Sequence, residues 1–352
     1  MPVTTGSICV ALDAMGGDRA PEMVVKGANI ARQRFPSVKY LLFGDERRLK
    51  PLLDRYSALR KTSEIRHTDK VVAGEDKPST ALRAGRGSSM RLAVDAVQSG
   101  DAAGIVSAGN TGALMAMAKV VLRTLPGIDR PAIASFFPTL RGESVMLDLG
   151  ANLSCDAENL VQFAVMGNVF ARTVLGTLRP TVGLLNVGSE EVKGHEAVRE
   201  AAALLKATPL PGEFHGFVEG DDIARGTVDV IVTDGFTGNV ALKTLEGTTK
   251  LYAEFLRRSF KSSLVASLGY LLARPALNAL RVRTDPRRYN GAIFLGLNGV
   301  AVKSHGGTDA LGFANAIGVA VDMITQKSLD KIREDFARFT AGGALSPQVV
   351  GL

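Results

Sequence analysis

Cysteine and histidine are both scarce in this chain of 352 residues, which has two cysteines and four histidines. Cys9 and Cys155 lie far apart and neither belongs to a Cys-x-x-Cys motif, so we expect no disulfide framework and no thiolate zinc site. The histidines form no close pair, and Arg199 occupies the second histidine position after His195-Glu196, which excludes the zinc-protease motif. Cys155 can be read as a nucleophile for a thioester, but a buried apolar cysteine beside a loop is the interpretation we favour.

Several motifs of phosphate-binding and hydrolytic enzymes are missing as well. The dipeptide Gly-Lys does not occur, no Gly-x-Gly-x-x-Gly follows a predicted strand, and no Gly-x-Ser-x-Gly is present. These absences exclude a P-loop, a dinucleotide fingerprint and a nucleophile elbow. Residues 1–7 have neither the basic segment nor the apolar run of a secretory signal. The longest uncharged run, between Asp101 and Lys119, has polar residues in its middle and does not predict a membrane span, so we expect a cytoplasmic protein.

Charge is concentrated in one part of the chain. The segment 257–288 holds eight basic residues and one acidic residue, which accounts for the whole formal net charge of +7. The remainder is neutral overall, so a general nucleic-acid-binding surface is not indicated.

Short apolar runs alternate with helical patterns along most of the sequence. We predict strands at residues 8–12, 39–43, 103–107, 144–149, 181–187 and 228–233. We predict helices at residues 21–35, 79–98, 111–124, 157–173, 190–206 and 238–260. This alternation indicates an α/β fold with parallel sheets covered by helices on both faces.

Six polar, glycine-rich loops follow strands or strand-like runs, at residues 13–18, 107–112, 148–152, 186–189, 234–239 and 304–307. Ligands of open α/β sheets bind beyond the carboxyl ends of strands, where glycine allows close approach and helix N-termini offer free N–H groups. One such loop is an ordinary tight turn, but six with the same character predict that several form one site.

Two residues in these loops are candidates for binding an anion. Lys193 follows two acidic residues, so it is either a solvated ion pair or a fixed cation for phosphate. Asn239 is predicted at the start of a long helix, where it either caps the helix or presents its amide to an anion at the same end.

The motifs together resemble the acyl-acyl-carrier-protein:phosphate acyltransferase family of bacterial phospholipid synthesis. The resemblance runs from ALDAMGGD at residues 11–18 to KSHG at 303–306. Between them stand RGSSMR (86–91), SAGNTGALM (107–115), LDLGAN (147–152), EEVKG (190–194), DGFTGNVALKTLEG (234–247) and YNGAIFLGL (289–297). The chain departs from the family at Arg19-Ala20, where an aromatic-glycine pair is more usual, and at Ser154, where Asp is common.

The resemblance implies an isocitrate-dehydrogenase-like and phosphate-acetyltransferase-like fold in α/β/α layers, with a cleft between two domains. We expect one domain from residues 1–138 plus 290–345 and a second from 139–289, which carries a basic, apolar tip at 257–288. It also implies a homodimer that converts acyl-acyl carrier protein and inorganic phosphate to acyl phosphate without a metal or cofactor. A membrane-bound glycerol-phosphate acyltransferase would consume the product.

The resemblance also suggests roles for individual residues. Lys193 and Asn239 are the expected catalytic residues. The expected substrate-binding residues are Asp13, Asn110, Thr111, Asn152, Gly188, Asp234, Thr237, Gly238 and His305. Three alternatives stay open: a short-chain phosphate acyltransferase using acyl-coenzyme A, a decarboxylating dehydrogenase of the same fold, and a membrane scaffold without activity.

Two surfaces are candidates for contact with partners. Residues 264–273 predict a helix with one apolar face, formed by Leu264, Val265, Leu268, Leu271 and Leu272. With basic residues on either side and Pro275 expected to end or kink it, this helix either touches the inner, anionic surface of the plasma membrane or is buried in a dimer. Arg83, Arg86 and Arg91 are either ordinary solvated arginines or a docking surface for the acidic carrier protein.

Overall fold

The computed structural model of the chain describes residues 8–207 and 210–341. Within these ranges the chain forms eleven strands and thirteen α-helices. The strands are β1 (Cys9–Asp13), β2 (Lys39–Gly44), β3 (Ser63–His67), β4 (Gly104–Ser107), β5 (Ala132–Thr139), β6 (Gly142–Leu147), β7 (Thr181–Leu185), β8 (Glu213–Val218), β9 (Val230–Val232), β10 (Ala292–Leu295) and β11 (Val300–Lys303).

The helices lie between these strands and after the last of them. They are α1 (Glu22–Arg34), α2 (Glu46–Leu53), α3 (Ser57–Arg60), α4 (Pro78–Ala84), α5 (Ser89–Ser99), α6 (Thr111–Leu122), α7 (Ala157–Phe170), α8 (Glu196–Ala207), α9 (Gly220–Arg225), α10 (Gly235–Phe260), α11 (Leu264–Arg283), α12 (Ala310–Thr325) and α13 (Ser328–Ala341). A π-helical turn at Ala171–Leu175 follows α7, and a 3₁₀ turn at Pro286–Tyr289 follows α11.

All eleven strands belong to one mixed sheet in the order β3-β2-β1-β4-β11-β10-β5-β6-β9-β7-β8. The first five strands in this order, β3, β2, β1, β4 and β11, are mutually parallel. The last four, β6, β9, β7 and β8, are also parallel to one another. Strand β10 is antiparallel to β11 and β5, and β5 is antiparallel to β6. The two parallel parts therefore run in opposite directions. The predicted α/β class is confirmed. The prediction of parallel pairing is wrong at the centre of the sheet, where β10 and β5 pair in antiparallel fashion.

The core occupies both faces of the sheet. In β1, Val10 and Leu12 belong to one buried cluster, whereas Ala11 between them belongs to another. Successive strand residues point to opposite faces, so helices must cover the sheet on both sides. Helix α7 is the most enclosed, because thirteen of its fourteen residues are buried. This is a three-layered α/β/α arrangement.

Three predicted helices have different bounds. The predicted helix at 79–98 is two helices, because the chain turns at Gly85 and restarts at Ser88, whose hydroxyl accepts from the Arg91 amide. The helix predicted from residue 190 begins only at Glu196, so Lys193 lies in a loop. The helix predicted from residue 238 begins at Gly235.

The last part of α10 and all of α11 form a hairpin that stands out from the body of the protein. No residue of α11 is buried, and the ring of Phe260 packs edge-on against Tyr270 with centroids 5.5 Å apart. The predicted membrane-contact residues Leu264, Val265, Leu268, Leu271 and Leu272 are all exposed. Helix α11 continues through Pro275, which therefore does not end it. Within the described ranges, no helix has the length and hydropathy needed to cross a bilayer.

The proposed two-domain division stays a prediction. Its first boundary falls beside the turn between β5, which ends at Thr139, and β6, which begins at Gly142. Its second boundary, between residues 289 and 290, falls at the end of the 3₁₀ turn.

The buried position of α7 gives a test of the core. Phe163 is fully buried, so Phe163→Ala should lower the free energy of unfolding by about 3–5 kcal/mol. Leu178 is 88% exposed, and Leu178→Ala should change it by less than about 0.5 kcal/mol. Urea unfolding measures both. Equal midpoints for the two variants would contradict the placement of α7 in the core.

Candidate active site

Three of the predicted loops meet at the carboxyl ends of β1, β4 and β11, which are neighbours in the sheet. The carboxylate of Asp13 accepts hydrogen bonds from the hydroxyls of Ser89 and Ser107, each at 2.6 Å. Ser107 in turn accepts from the Gly109 amide at 3.0 Å. The Asp18 amide donates to the Gly306 carbonyl at 3.0 Å. Loops 13–18, 107–112 and 304–307 are therefore held together by direct contacts.

Asp13 lies beneath these loops. It is 0% exposed, and both of its oxygens are occupied by serine hydroxyls. Its carboxylate therefore contacts the two serines beneath the loops, which differs from the predicted position in the lining of the cleft. Burial raises the pKa of Asp13, while the serine hydrogen bonds act in the opposite direction.

Lys303 is the buried cation of this group. Burial lowers the pKa of Lys303 to about 8, against the attraction of Asp13 and Asp18. Its ammonium group donates to the carbonyls of Ala108 and Ser304, so it ties the loop after β4 to the loop after β11. Lys303 and the two serines were not among the predicted site residues, although all three lie inside the quoted motifs.

Asn110 caps α6 and binds a neighbouring segment. Its side-chain oxygen accepts from the Ala113 amide, and its nitrogen donates to the carbonyls of Gly74 and Asp76 at 2.9 and 2.8 Å. Thr111 is exposed at the first position of α6. Asn110 thus fixes segment 73–76 over this loop, and Thr111 is the residue of the pair that stays open to a ligand.

A second group of loops follows β6 and β9 and is centred on Asp148. The carboxylate of Asp148 accepts from the backbone amides of Ile133, Ala151 and Asn152 at 2.7–3.0 Å and from the side chain of Asn152 at 2.9 Å. Asn152 also donates to the Pro131 carbonyl. Burial raises the pKa of Asp148, and the hydrogen bonds from N–H groups oppose this effect. Asn152 is 7% exposed, so it serves this network.

The start of α10 packs directly on the Asp148 loop. The Gly235 amide donates to the Asn152 carbonyl at 2.8 Å, and Asp234 caps the helix by accepting from both the amide and the hydroxyl of Thr237. A Cβ atom at Gly238 would overlap the carbonyl oxygen of Asp148. Asn239 is exposed at the fifth position of α10, so it is not the N-cap that the sequence suggested.

Lys193 lies in the loop after β7. Its ammonium group is 2.8 Å from Glu190, and this contact raises the pKa of Lys193. Asn186 braces the loop by donating to the carbonyls of Gly188 and Lys193, both at 3.1 Å. Gly188 is buried against the Lys193 side chain. Across residues 8–207 and 210–341, no hydrogen bond or ion pair joins Lys193 to Asn239.

Helix α10 connects the two groups of loops. Asn239, Lys243, Glu246 and Lys250 recur at helical spacing on one face of α10. Partial burial lowers the pKa of His305, and the charges of Lys243, Lys303 and Lys250 act in the same direction while Glu246 opposes them. The Nδ1 atom of His305 accepts from the Gly307 amide at 3.1 Å. The same face of α10 thus carries Asn239 beside Gly150 and, further along, charges close enough to act on His305.

Cys155 is not suited to nucleophilic attack. Burial, together with the charges of Asp148 and Asp234, raises the pKa of its thiol to about 12. The nucleophile is the thiolate, which is therefore scarce at neutral pH.

A family model described as "Fatty acid synthesis protein" matches residues 8–331. The chain belongs to this family. It is 72% identical over 343 residues to the phosphate acyltransferase of Rhodospirillum centenum, covering 97% of each chain. It is 63% identical over 334 residues to that of Paramagnetospirillum magneticum, covering 95% of each. The protein is accordingly an acyltransferase.

Solved structures agree on the fold of the family member. A phosphotransacetylase from Staphylococcus aureus superposes with a TM-score of 0.57 at 17% identity, covering 92% of this chain and 94% of its own. A phosphotransacetylase from Streptococcus pyogenes gives 0.56 at 17% identity, covering 93% and 96%. At this identity the likeness supports the phosphate-acetyltransferase-like fold alone.

Two glycines of α10 test how closely its first turn must approach the Asp148 loop. Gly238→Ala should displace that turn and lower the free energy of unfolding by about 1–3 kcal/mol, because the new methyl group meets backbone. Gly247 has no atom within 4 Å of an added Cβ, so Gly247→Ala should raise it by about 0.5–1 kcal/mol. Thermal unfolding compares the two, and stabilisation by both substitutions would be inconsistent with the close packing.

Proposed function

We propose that the enzyme transfers a long-chain acyl group from acyl carrier protein to inorganic phosphate, with acyl phosphate and free carrier as products. The observation that carries this proposal is the 72% identity to a phosphate acyltransferase over nearly the whole chain. The acyl phosphate would then feed the acylation of glycerol 3-phosphate in phospholipid synthesis.

The chemistry requires positioning and charge stabilisation more than a strong base. A phosphate oxygen attacks the thioester carbonyl carbon, the carbon–sulfur bond breaks, and the proton of the hydrogen phosphate ends on the carrier sulfur. Phosphate near neutral pH is partly dianionic and is already a nucleophile. Exposed Lys193 would bind phosphate and the charge of the tetrahedral intermediate, while the amide of Asn239 would donate to the same oxygens. For this, the Lys193 loop must release Glu190 or bind substrate beside it.

The remaining loops would bind the other groups of the substrates. Gly188, Thr237 and Gly238 lie beside the two proposed catalytic residues, while Thr111 and His305 belong to the opposite group of loops. His305 accepts at Nδ1, so its Nε2 is the donor that it offers. A short-chain enzyme using acyl-coenzyme A is the alternative, and it shares the same phosphate chemistry.

The exposed hairpin of α10 and α11 supports two further proposals, a homodimer and a peripheral contact with the anionic inner face of the plasma membrane. Large apolar side chains cover the outer part of α10 as well as α11, including Leu251, Tyr252 and Phe255 at 52%, 67% and 54% exposure. A face of this extent needs a partner. We assign the long sides of the hairpin to a second copy and the tip around Leu264 to the bilayer, where flanking arginines favour anionic headgroups. A membrane-bound glycerol-phosphate acyltransferase could then take the apolar product at the bilayer.

Lys193 and Asn239 are tested by their effect on turnover. Lys193→Ala and Asn239→Ala should each lower kcat by about 10²–10³, because each removes a donor to the charge of the transition state. The double variant should show less than the combined loss if both act on one oxyanion. Thiol release from acyl carrier protein at saturating phosphate measures these effects. Lys206→Ala, which removes the cation paired with Glu191 of the same loop, is the control and should retain activity. Normal turnover by Lys193→Ala would remove this residue from the mechanism.

The tip is tested by adding charge to its apolar face. Leu268→Glu with Leu271→Glu should abolish co-sedimentation with anionic liposomes and leave thiol release in solution intact, because two carboxylates oppose insertion among anionic headgroups. Asn278→Glu adds charge at a polar, exposed position of α11 and should have a smaller effect. A leucine variant that still co-sediments would contradict the membrane contact. Conversion of that variant to a monomer would instead assign these leucines to the dimer.

A further inference from the structure

A second basic site lies beside the first group of loops, outside the residues assigned above. A cavity of about 570 Å³ opens between the start of α1, the start of α12 and α2. Arg19 and Lys26 line it from the start of α1 and the loop before it, and Arg48 lines it from α2. Arg19 directly follows Asp18, whose amide is bound to the loop after β11. The cavity is therefore adjacent to the candidate site but distinct from it.

The charges in this cavity are unbalanced. Neither Arg19 nor Lys26 has an ion-pair partner in the described part of the chain, and both are exposed. Arg48 donates one hydrogen bond, to the Ala20 carbonyl at 3.3 Å, and has no carboxylate partner there. Of the two acidic residues in the lining, Asp309 is already paired with Arg287 at 2.9 Å, which leaves Glu22. Three cations against one free carboxylate favour an anion.

A phosphate group suits this arrangement better than a carboxylate of a folded partner would. The cations converge on a concave space, where a small anionic group on a flexible arm can enter. Two arginines supply donors whose planar geometry matches phosphate oxygens. If the proposed function holds, the carrier presents its acyl group on a phosphopantetheine arm, whose phosphodiester lies at the end remote from the thioester. The cavity lies next to the first group of loops, away from Lys193 and Asn239, and so is placed for that remote end.

We propose that Arg19, Lys26 and Arg48 bind the phosphodiester of the carrier's phosphopantetheine arm, an assignment that rests on the proposed use of acyl carrier protein. The site would hold the remote end of the arm beside the loops after β1, β4 and β11, while the thioester extends towards Lys193 and Asn239. Arg48 also shapes the loop through Ala20, so Arg19 and Lys26 are the residues to vary.

The experiment compares substrates with and without the phosphate group. For the double variant Arg19→Gln, Lys26→Gln, the KM for acyl-phosphopantetheine should rise about tenfold or more, since charge-assisted hydrogen bonds are lost. The KM for acyl-pantetheine, which lacks the phosphate, and the KM for inorganic phosphate should be unchanged. The control is Lys61→Gln, which neutralises an exposed cation outside the cavity and should leave all three constants unchanged. If Arg83 and Arg86 contact the folded part of the carrier, Arg83→Gln with Arg86→Gln should raise the KM for acyl-acyl carrier protein and leave the KM for acyl-phosphopantetheine unchanged.

Calorimetry examines the cavity independently of turnover. The wild-type enzyme should bind phosphopantetheine more tightly than pantetheine, and the difference should disappear in the double variant. Equal affinity of the wild-type enzyme for the two compounds would overturn the assignment, even if acyl phosphate is formed. A raised KM for inorganic phosphate in the double variant would also overturn it, because the cavity would then hold the nucleophile. Absence of thiol release by the wild-type enzyme would count against the proposed function, while calorimetry would still decide the site.

Discussion

The buried carboxylate of Asp148 is the contact on which the arrangement of the second loop group depends. It accepts hydrogen bonds from the amide of Ile133 in β5 and from three consecutive amides of its own loop, from Gly150 to Asn152. An unpaired buried carboxylate is costly, so this loop must turn its N–H groups inward. In this turn the Asp148 carbonyl packs directly against Gly238, and this contact fixes the position of the first turn of α10. The position of Asn239 follows from that contact.

The reversal of the sheet at β5 and β10 sets the second constraint. Because its two parallel parts run in opposite directions, the carboxyl ends of β1, β4 and β11 cannot lie beside those of β6, β9 and β7. A ligand that contacts both groups needs an element that spans them. Helix α10 does this, since it starts at the Asp148 loop and brings Lys243 and Lys250 near His305. In a single parallel sheet this helix would have no such role.

The motifs and the alternating apolar runs sufficed to predict the α/β class, the family and six of the eleven strands. The antiparallel centre was missed because β5 and β10 were not among the predicted strands, and a short buried strand has the same apolar pattern in either direction. The helix start at Gly235 was missed because glycine is a poor helix former, and only the packing against Asp148 explains its use there. Asp13 shows a similar limit. Its position at a strand end suggested a ligand contact. Its actual partners, Ser89 and Ser107, are 76 and 94 positions further along the chain and could not be inferred from the local pattern.

Helix α10 also links the chemistry to the surface of the protein. Its 26 residues make it about 39 Å long, with Asn239 near one end and the exposed hairpin at the other. Such a helix transmits position well, because its backbone hydrogen bonds resist bending over this length. Anything that holds the hairpin, a second copy or a bilayer, therefore also restricts the orientation of the residues on the Asn239 face. Helix α10 is thus held at one end by the close packing of Gly238 on the Asp148 loop and carries the exposed apolar side chains of the hairpin at the other. Loosening either end would change how the Asn239 face of α10 is held against the Asp148 loop.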